Sequence, residues 1–266
     1  MYFNSKFTPV IEKACRKAGK FIQRDYGEVE NLQISKKGPG NFVTSCDIKV
    51  EKILIEELQK AYPNYTIISE EAGVIEGSDK KFTFYIDPID GTTNFMHGLP
   101  FFAISVAVYE NVAGKNMPVV GVVFNPIFDE FYYAEKGYGA FCNKRRLFVS
   151  GRKDLDESLF ASYVARNNQQ YRERDLKVLT GTKLHSRIYG SAALELAYVA
   201  AGKLDGMWHF NLKSWDLAAG ILLVQEARGV VTEINGGSEY LESGSIVAAN
   251  ANLHETLRKE INRCIS

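Results

Sequence analysis

One segment limits what this chain can become more than any other: Phe84–His97, which reads FYIDPIDGTTNFMH. An apolar, β-prone run enters Asp87, Pro88, Ile89 and Asp90, so two carboxylates stand at a strand end. Pro88 fixes its own φ and biases Asp87 toward extended geometry, which predicts that the chain leaves the strand sharply and aims both acids into one space. Gly91 permits close backbone approach, and Thr92, Thr93 and Asn94 can open a helix whose free N–H groups attract an anion. Carboxylates beside an anion repel it unless a hard divalent cation such as Mg²⁺ sits between them, bridging carboxylate and phosphate oxygens. Taken alone, a D-x-x-D-G run is more often a turn with an Asx cap.

Two further acids change that balance. Glu70, in Ser69-Glu70-Glu71-Ala72-Gly73, follows the apolar strand Tyr65–Ile68 and again sits at a strand end, with a solvated loop acid as the plain alternative. Asp216 stands in the first turn of the apolar run Trp215–Val224. A capping Asp there would be ordinary. The run is apolar on every side, however, and Asp is rarely buried without a partner, which a metal ion would be.

The remaining sequence frames these acids. With 266 residues, 45% of them hydrophobic and 24% charged, the chain can build one large domain or two lobes sharing an interface, and it is neither disordered nor a disulfide scaffold. Its 32 basic and 32 acidic residues cancel, which argues against a coat for nucleic acid or an anionic membrane. Cys15, Cys46, Cys142 and Cys264 are scattered without a Cys-x-x-Cys pair, the start has no apolar signal core, and no apolar run spans a bilayer. These features predict a cytoplasmic protein.

Apolar positions at Phe7, Val10, Ile11, Ala14, Ala18, Phe21 and Ile22 predict an N-terminal amphipathic helix. A second is predicted after the capping-box spacing of Thr44 and Asp47. Strands are expected at Tyr65–Ser69, Phe82–Ile86, Phe101–Tyr109, Val119–Phe124 and Phe131–Ala134. A lobe boundary is placed in the polar stretch 143–156, beyond which helices and strands alternate in an α/β manner. The run Lys144-Arg145-Arg146 is expected to be a solvated turn, His97 a packing or turn residue, and Phe101, Phe102, Tyr132 and Tyr133 core or subunit contacts.

Together these residues resemble the inositol monophosphatase family of Mg²⁺-dependent, lithium-sensitive phosphatases, over essentially the whole chain. The signature blocks are Asp87–Phe95, DPIDGTTNF, and Trp215–Gly229, WDLAAGILLVQEARG; the second departs at Arg228, where the family usually has Gly. Val43-Thr44 with Asp47, Ser69-Glu70-Glu71, Gly190-Ser191-Ala192-Ala193 and Gly202-Lys203-Leu204-Asp205 support the match. The resemblance implies an αβαβα sandwich shared with fructose-1,6-bisphosphatases. It further implies an N-terminal lobe, 1–145, carrying most metal ligands, a C-terminal lobe, 146–266, carrying Asp216 and the alcohol-binding side, and a homodimer.

By the same resemblance, two or three Mg²⁺ ions would be held by Glu70, Asp87, the Ile89 carbonyl, Asp90 and Asp216, with Asp47 and Thr92 near the weakest ion. Glu70 and Thr92, with Asp47, would be the catalytic groups that orient the attacking water. Asp90, Gly91, Thr92, Ala192, His209 and Asp216 would meet the substrate, and Lys36–Phe42 corresponds to a mobile metal-site loop. The implied substrate is inositol monophosphate or a related sugar or polyol phosphate. Superfamily alternatives are 3′-phosphoadenosine phosphate, fructose 1,6-bisphosphate and histidinol phosphate, and a regulatory partner in the transcription machinery is a reading of another class. The family commonly carries Glu seven residues before the Asp of the second block. Here that residue is His209, so the alcohol pocket is expected to differ.

At these acids and cysteines, the spacings that other phosphatase chemistries need are not met. Haloacid-type enzymes need two Asp separated by one residue, but Asp87 and Asp90 are separated by two. Phe21, Lys52 and Phe148 stand six positions after Cys15, Cys46 and Cys142, where a cysteine phosphatase needs Arg. There is no P-loop, and the four His lack zinc-ligand spacing.

Overall fold

The structure, a computed structural model, describes residues 4–26, 34–36, 42–166 and 168–266. In chain order the elements are α1 (Thr8–Tyr26), β1 (Ile34–Lys36), β2 (Phe42–Thr44), α2 (Ser45–Ala61), β3 (Tyr65–Ser69), β4 (Gly73–Ile75) and β5 (Asp79–Asp90). There follow α3 (Thr92–Met96), β6 (Ala103–Val112), β7 (Lys115–Asn125), β8 (Glu130–Glu135), β9 (Gly139–Cys142) and β10 (Arg145–Arg146). The remainder is β11 (Leu159–Ala161), α4 (Gln169–Gly181), β12 (His185–Arg187), α5 (Ala192–Ala200), β13 (Gly206–His209), α6 (Ser214–Glu226), β14 (Gly229–Thr232), α7 (Tyr240–Ser243), β15 (Ile246–Asn250) and α8 (His254–Ile265). Residues 37–41 of the expected mobile loop, and the side-chain cap expected of Thr44, lie outside what is described.

The layering is the expected αβαβα. An eight-stranded sheet, ordered β10-β9-β8-β7-β6-β5-β3-β4, precedes a five-stranded one, ordered β12-β11-β13-β15-β14. Strands alternate their side chains between faces. In β6, Ile104, Val106 and Val108 therefore join Ile11, Ala18, Val50 and Leu54 of α1 and α2 in one core. Ala103, Ala107 and Tyr109, on the other face, pack against α5 and α6. The far side of α5 and α6 meets Met207, Ile246 and Ala248 of the second sheet, whose outer face is closed by α4 and α8 through Val178, Leu257 and Ile261. That double burial explains why α6 is apolar on every side.

Helix α6 approaches both the first sheet and α5 very closely. A Cβ built on Gly121 of β7 would lie 2.4 Å from the Ala219 carbonyl oxygen of α6, and one built on Gly220 would strike Leu196 of α5 at the same separation. The core is continuous across the residue-145 boundary, because α5 and α6 belong to the C-terminal half and cover the N-terminal sheet.

One expectation needs correcting, and short elements add to those expected. Arg145 and Arg146 form the exposed edge strand β10 rather than a turn, pairing with β9. Short β4, β9 and α7 escaped the sequence, being too brief to display a period. Phe102, Tyr132 and Tyr133 are buried in the chain's own core, whereas Phe101 stacks on Tyr189 at 4.8 Å. His97 is exposed and closes α3. All four cysteines are free, and no helix among the described residues is long and apolar enough to cross a membrane.

Candidate metal-dependent active site

The two signature acids reach one face by a device the sequence did not reveal. Strand β5 does not stop at Ile86 but continues to Asp90, opposite β6, with Asp87 across from Ser105 and Asp90 across from Ala103. Three steps on β5 therefore match two on β6, which is a bulge. In a regular strand, residues three apart point to opposite faces. The extra residue sends Ile89 into the core beside α1 and α2 and returns Asp90 to the side of α5 and α6 that Asp87 also faces. Pro88 suits this interruption because it has no N–H to contribute to the ladder.

Gly91 then turns the chain at φ +97, where a Cβ would press on the Phe101 and Gly190 carbonyls at 3.1 and 3.2 Å. Asn94 fastens the same junction, donating its amide to the Phe101 and Tyr189 carbonyls at 2.7 Å each. Helix α3 starts at Thr92, whose hydroxyl donates to the Ile89 carbonyl at 2.9 Å.

Asp216 comes from the second half on α6. One of its oxygens accepts the Lys213 N–H at 2.8 Å, so it caps the helix as a plain reading would have it, yet its carboxylate also meets the other acids. Ser105, the cross-strand neighbour of Asp87, donates to the Trp215 carbonyl at 3.2 Å, and the Tyr109 hydroxyl donates to the Ala218 carbonyl at 3.1 Å. These bonds pin the first turn of α6 to the sheet. One carboxylate oxygen from each of Asp87, Asp90 and Asp216 then lies within 4.8 Å of the others.

Asp90 has a second attachment. Its Oδ2 accepts the Ser191 hydroxyl at 2.6 Å and the Ala193 N–H at 2.7 Å, tying β5 to the start of α5. The buried Ala192 lies between those two donors. Glu70 follows β3 in a turn whose N–H groups reach Ile86 and Glu51, and its side chain opens to solvent beside the cluster. Asp47, buried on α2, contributes to the negative potential at Glu70 and Asp87.

The acids are withdrawn from water and repel one another. Burial first, then repulsion from Glu70, Asp90, Asp216 and Asp47, pushes Asp87 well above the ordinary carboxylate range. Partial withdrawal from water, followed by repulsion from Asp216, Glu71, Asp47 and Asp90, raises Glu70 to about 8. Burial raises Asp90 to about 7 and Asp216 to about 6, against the lowering effect of their hydrogen bonds. Asp87 Oδ1 is buried without a hydrogen-bond partner. An all-oxygen donor set with an orphaned carboxylate oxygen fits a hard divalent cation.

His209 lies behind this cluster at 3% exposure. Its Nε2 contacts Glu195 Oε2 at 2.6 Å, its ring stacks on Tyr163, and its Nδ1 has no hydrogen-bond partner. Burial opposes its charge, but Glu195, Asp175 and Asp90 more than offset that and raise its pKa. The bonds of Ser105, Glu51 and Glu195 escaped the sequence. The only signal for Glu51 was an acid one helical turn after Asp47.

The fold places the chain with solved inositol monophosphatase-type structures. The suhB extragenic suppressor protein of Bartonella henselae superposes with a TM-score of 0.90 at 44% identity, covering 97% of this chain and 99% of its own. The inositol-1-monophosphatase of Rhizobium meliloti is 46% identical over 96% of both chains. Nus factor SuhB of Escherichia coli is 40% identical, over 96% of this chain and 98% of its own length. The profile of the inositol monophosphatase family matches residues 4–266. This chain belongs to that family, and it is a phosphatase of its superfamily.

Proposed function

We propose that the chain hydrolyses inositol monophosphate or a related sugar or polyol phosphate, with Mg²⁺ as cofactor. The observation that carries this reading is the convergence of Asp87, Asp90 and Asp216. Bound there, Mg²⁺ would neutralise phosphate charge and make water a stronger nucleophile. In this reading Glu70, Asp87, Asp90, Asp216 and the Ile89 carbonyl hold two or three ions, with Asp47 at the weakest. Glu70 and Thr92 orient the attacking water, and the Gly91 and Thr92 N–H groups hold the phosphate. Turnover is expected to vanish in EDTA, to return with Mg²⁺, and to be inhibited by millimolar Li⁺ but not by K⁺. A screen of inositol 1-phosphate, 2-glycerophosphate, fructose 1,6-bisphosphate, histidinol phosphate and 3′-phosphoadenosine phosphate identifies the alcohol. Full activity in EDTA would sink the metal assignment, and insensitivity to Li⁺ that part of it.

His209 is proposed to border the alcohol pocket, its ring held there by Glu195 through Nε2. Glu at this position would stand beside Glu195, so His209→Gln is the cleaner probe. The ratio of kcat/KM for inositol 1-phosphate to that for 2-glycerophosphate should move by about tenfold, the scale of one polar contact. An equal loss for both esters means general damage, and unchanged rates remove His209 from the pocket.

A regulatory role with the transcription machinery is the second reading, supported by the name Nus factor borne by a relative at 40% identity. A pulldown beside the phosphatase assay separates the two roles, and a size measurement tests the homodimer.

A further inference from the structure

Glu51 is a buried acid that the reaction outlined above leaves unused. It sits on α2 at 5% exposure, in a helix whose Val50, Leu54 and Leu58 enter the core, where a carboxylate needs partners. The hydrogen bonds it accepts come from one turn. Its Oε1 takes the Ser69 hydroxyl, the Glu71 N–H at 3.0 Å and the Ala72 N–H at 3.1 Å. These donors stand on both sides of Glu70, whose own N–H goes to the Ile86 carbonyl at 3.2 Å.

We propose that Glu51 is a positioning residue, clamping the turn Ser69–Ala72 so that the Glu70 carboxylate stands toward Asp87, Asp90 and Asp216. The proposal rests on the reading of Glu70 as a metal ligand. A Glu side chain has three rotatable bonds, so its reach is set only when the backbone beneath it is held. Three hydrogen bonds to one anionic oxygen hold it more firmly than neutral bonds would, since charge-assisted bonds are about twice as strong. Asp47 precedes Glu51 by one helical turn and shares its face of α2, so the same helix presents Asp47 to the cluster and grips the Glu70 turn.

The test compares parent, Glu51→Gln, Glu70→Gln and the double variant, with Mn²⁺ binding followed by electron paramagnetic resonance alongside kcat and KM in Mg²⁺. Glu51→Gln keeps the volume but weakens the clamp. Its Mn²⁺ dissociation constant should rise about tenfold and its kcat fall about tenfold, with substrate KM unchanged, as for other groups that orient ligands. In the Glu70→Gln background, Glu51→Gln should weaken Mn²⁺ no further, because its effect runs through Glu70. Should Glu51→Gln not fold, Ser69→Ala removes one donor and leaves two, and a smaller loss of about threefold is expected, again absent in the Glu70→Gln background. Unchanged Mn²⁺ affinity and kcat, or an equal loss with and without the Glu70 carboxylate, overturns the positioning role while the metal reading stands. A parent that binds no Mn²⁺ overturns the metal reading and the proposal with it.

Discussion

Asp87→Asn is expected to abolish turnover and yet make the metal-free protein more stable. Asp87 is 2% exposed, one of its oxygens lacks a partner, and its carboxyl is pushed up by burial and by four neighbouring acids. A carboxyl with a folded-state pKa above its unfolded value binds protons more tightly when folded. Its stabilising contribution is therefore present in acid, below the ordinary carboxylate range, and is lost as pH rises through the folded-state value. The raised groups include Asp216 at about 6, Asp90 at about 7 and Glu70 at about 8. Stability of the metal-free parent should accordingly fall between about pH 5 and pH 8.

Asn at position 87 removes one buried charge and the repulsion it exerts. The expected gain is about 2 kcal/mol near pH 8, with a shallower pH dependence. The lost ligand should lower kcat/KM in Mg²⁺ by roughly a thousandfold, several kcal/mol of transition-state stabilisation. Thermal melts in EDTA across this pH range, beside kinetics in Mg²⁺, check both halves. Ordinary activity in the Asn variant, or a metal-free protein weaker than the parent, contradicts the account.

Gly121→Ala should damage the site from a distance. The added methyl would meet the Ala219 carbonyl at 2.4 Å, and backbone cannot step aside as a flexible side chain can. Ala219 lies one turn after Asp216 on α6, the helix that Ser105 and Tyr109 hold against the sheet. Forcing helix and sheet apart should cost about 3 kcal/mol as overpacking. It should also draw Asp216 away from Asp87 and Asp90, weakening Mg²⁺ binding by about tenfold or more. Gly151→Ala is the control, because a Cβ there meets nothing within 4 Å. Urea unfolding and calorimetric Mg²⁺ titration read the two effects. A Gly121→Ala protein as stable and as tight for Mg²⁺ as the control would show that α6 tolerates the shift and that close packing does not set the cluster.

Much of this was legible in residue order because the signals are local. The 3.6-residue spacing in α1, the all-round apolar run of α6 and the acids at the ends of β3 and β5 can each be read within a few residues of themselves. The αβαβα order was legible through the signature blocks that carry the family resemblance. Tertiary structure decided what depends on partners far apart in the chain. Asp87 and Asp90, three residues apart, share a face only because β6 pairs with β5 across a bulge. Asp90 meets Ser191 and Ala193 about a hundred positions onward, and Glu51 meets a turn about twenty positions away. His209 finds Glu195 from a different element. No periodicity encodes such pairs. Packing of helices on both faces of the first sheet selects them, because each buried carboxylate must collect donors or share a cation to offset its lost hydration.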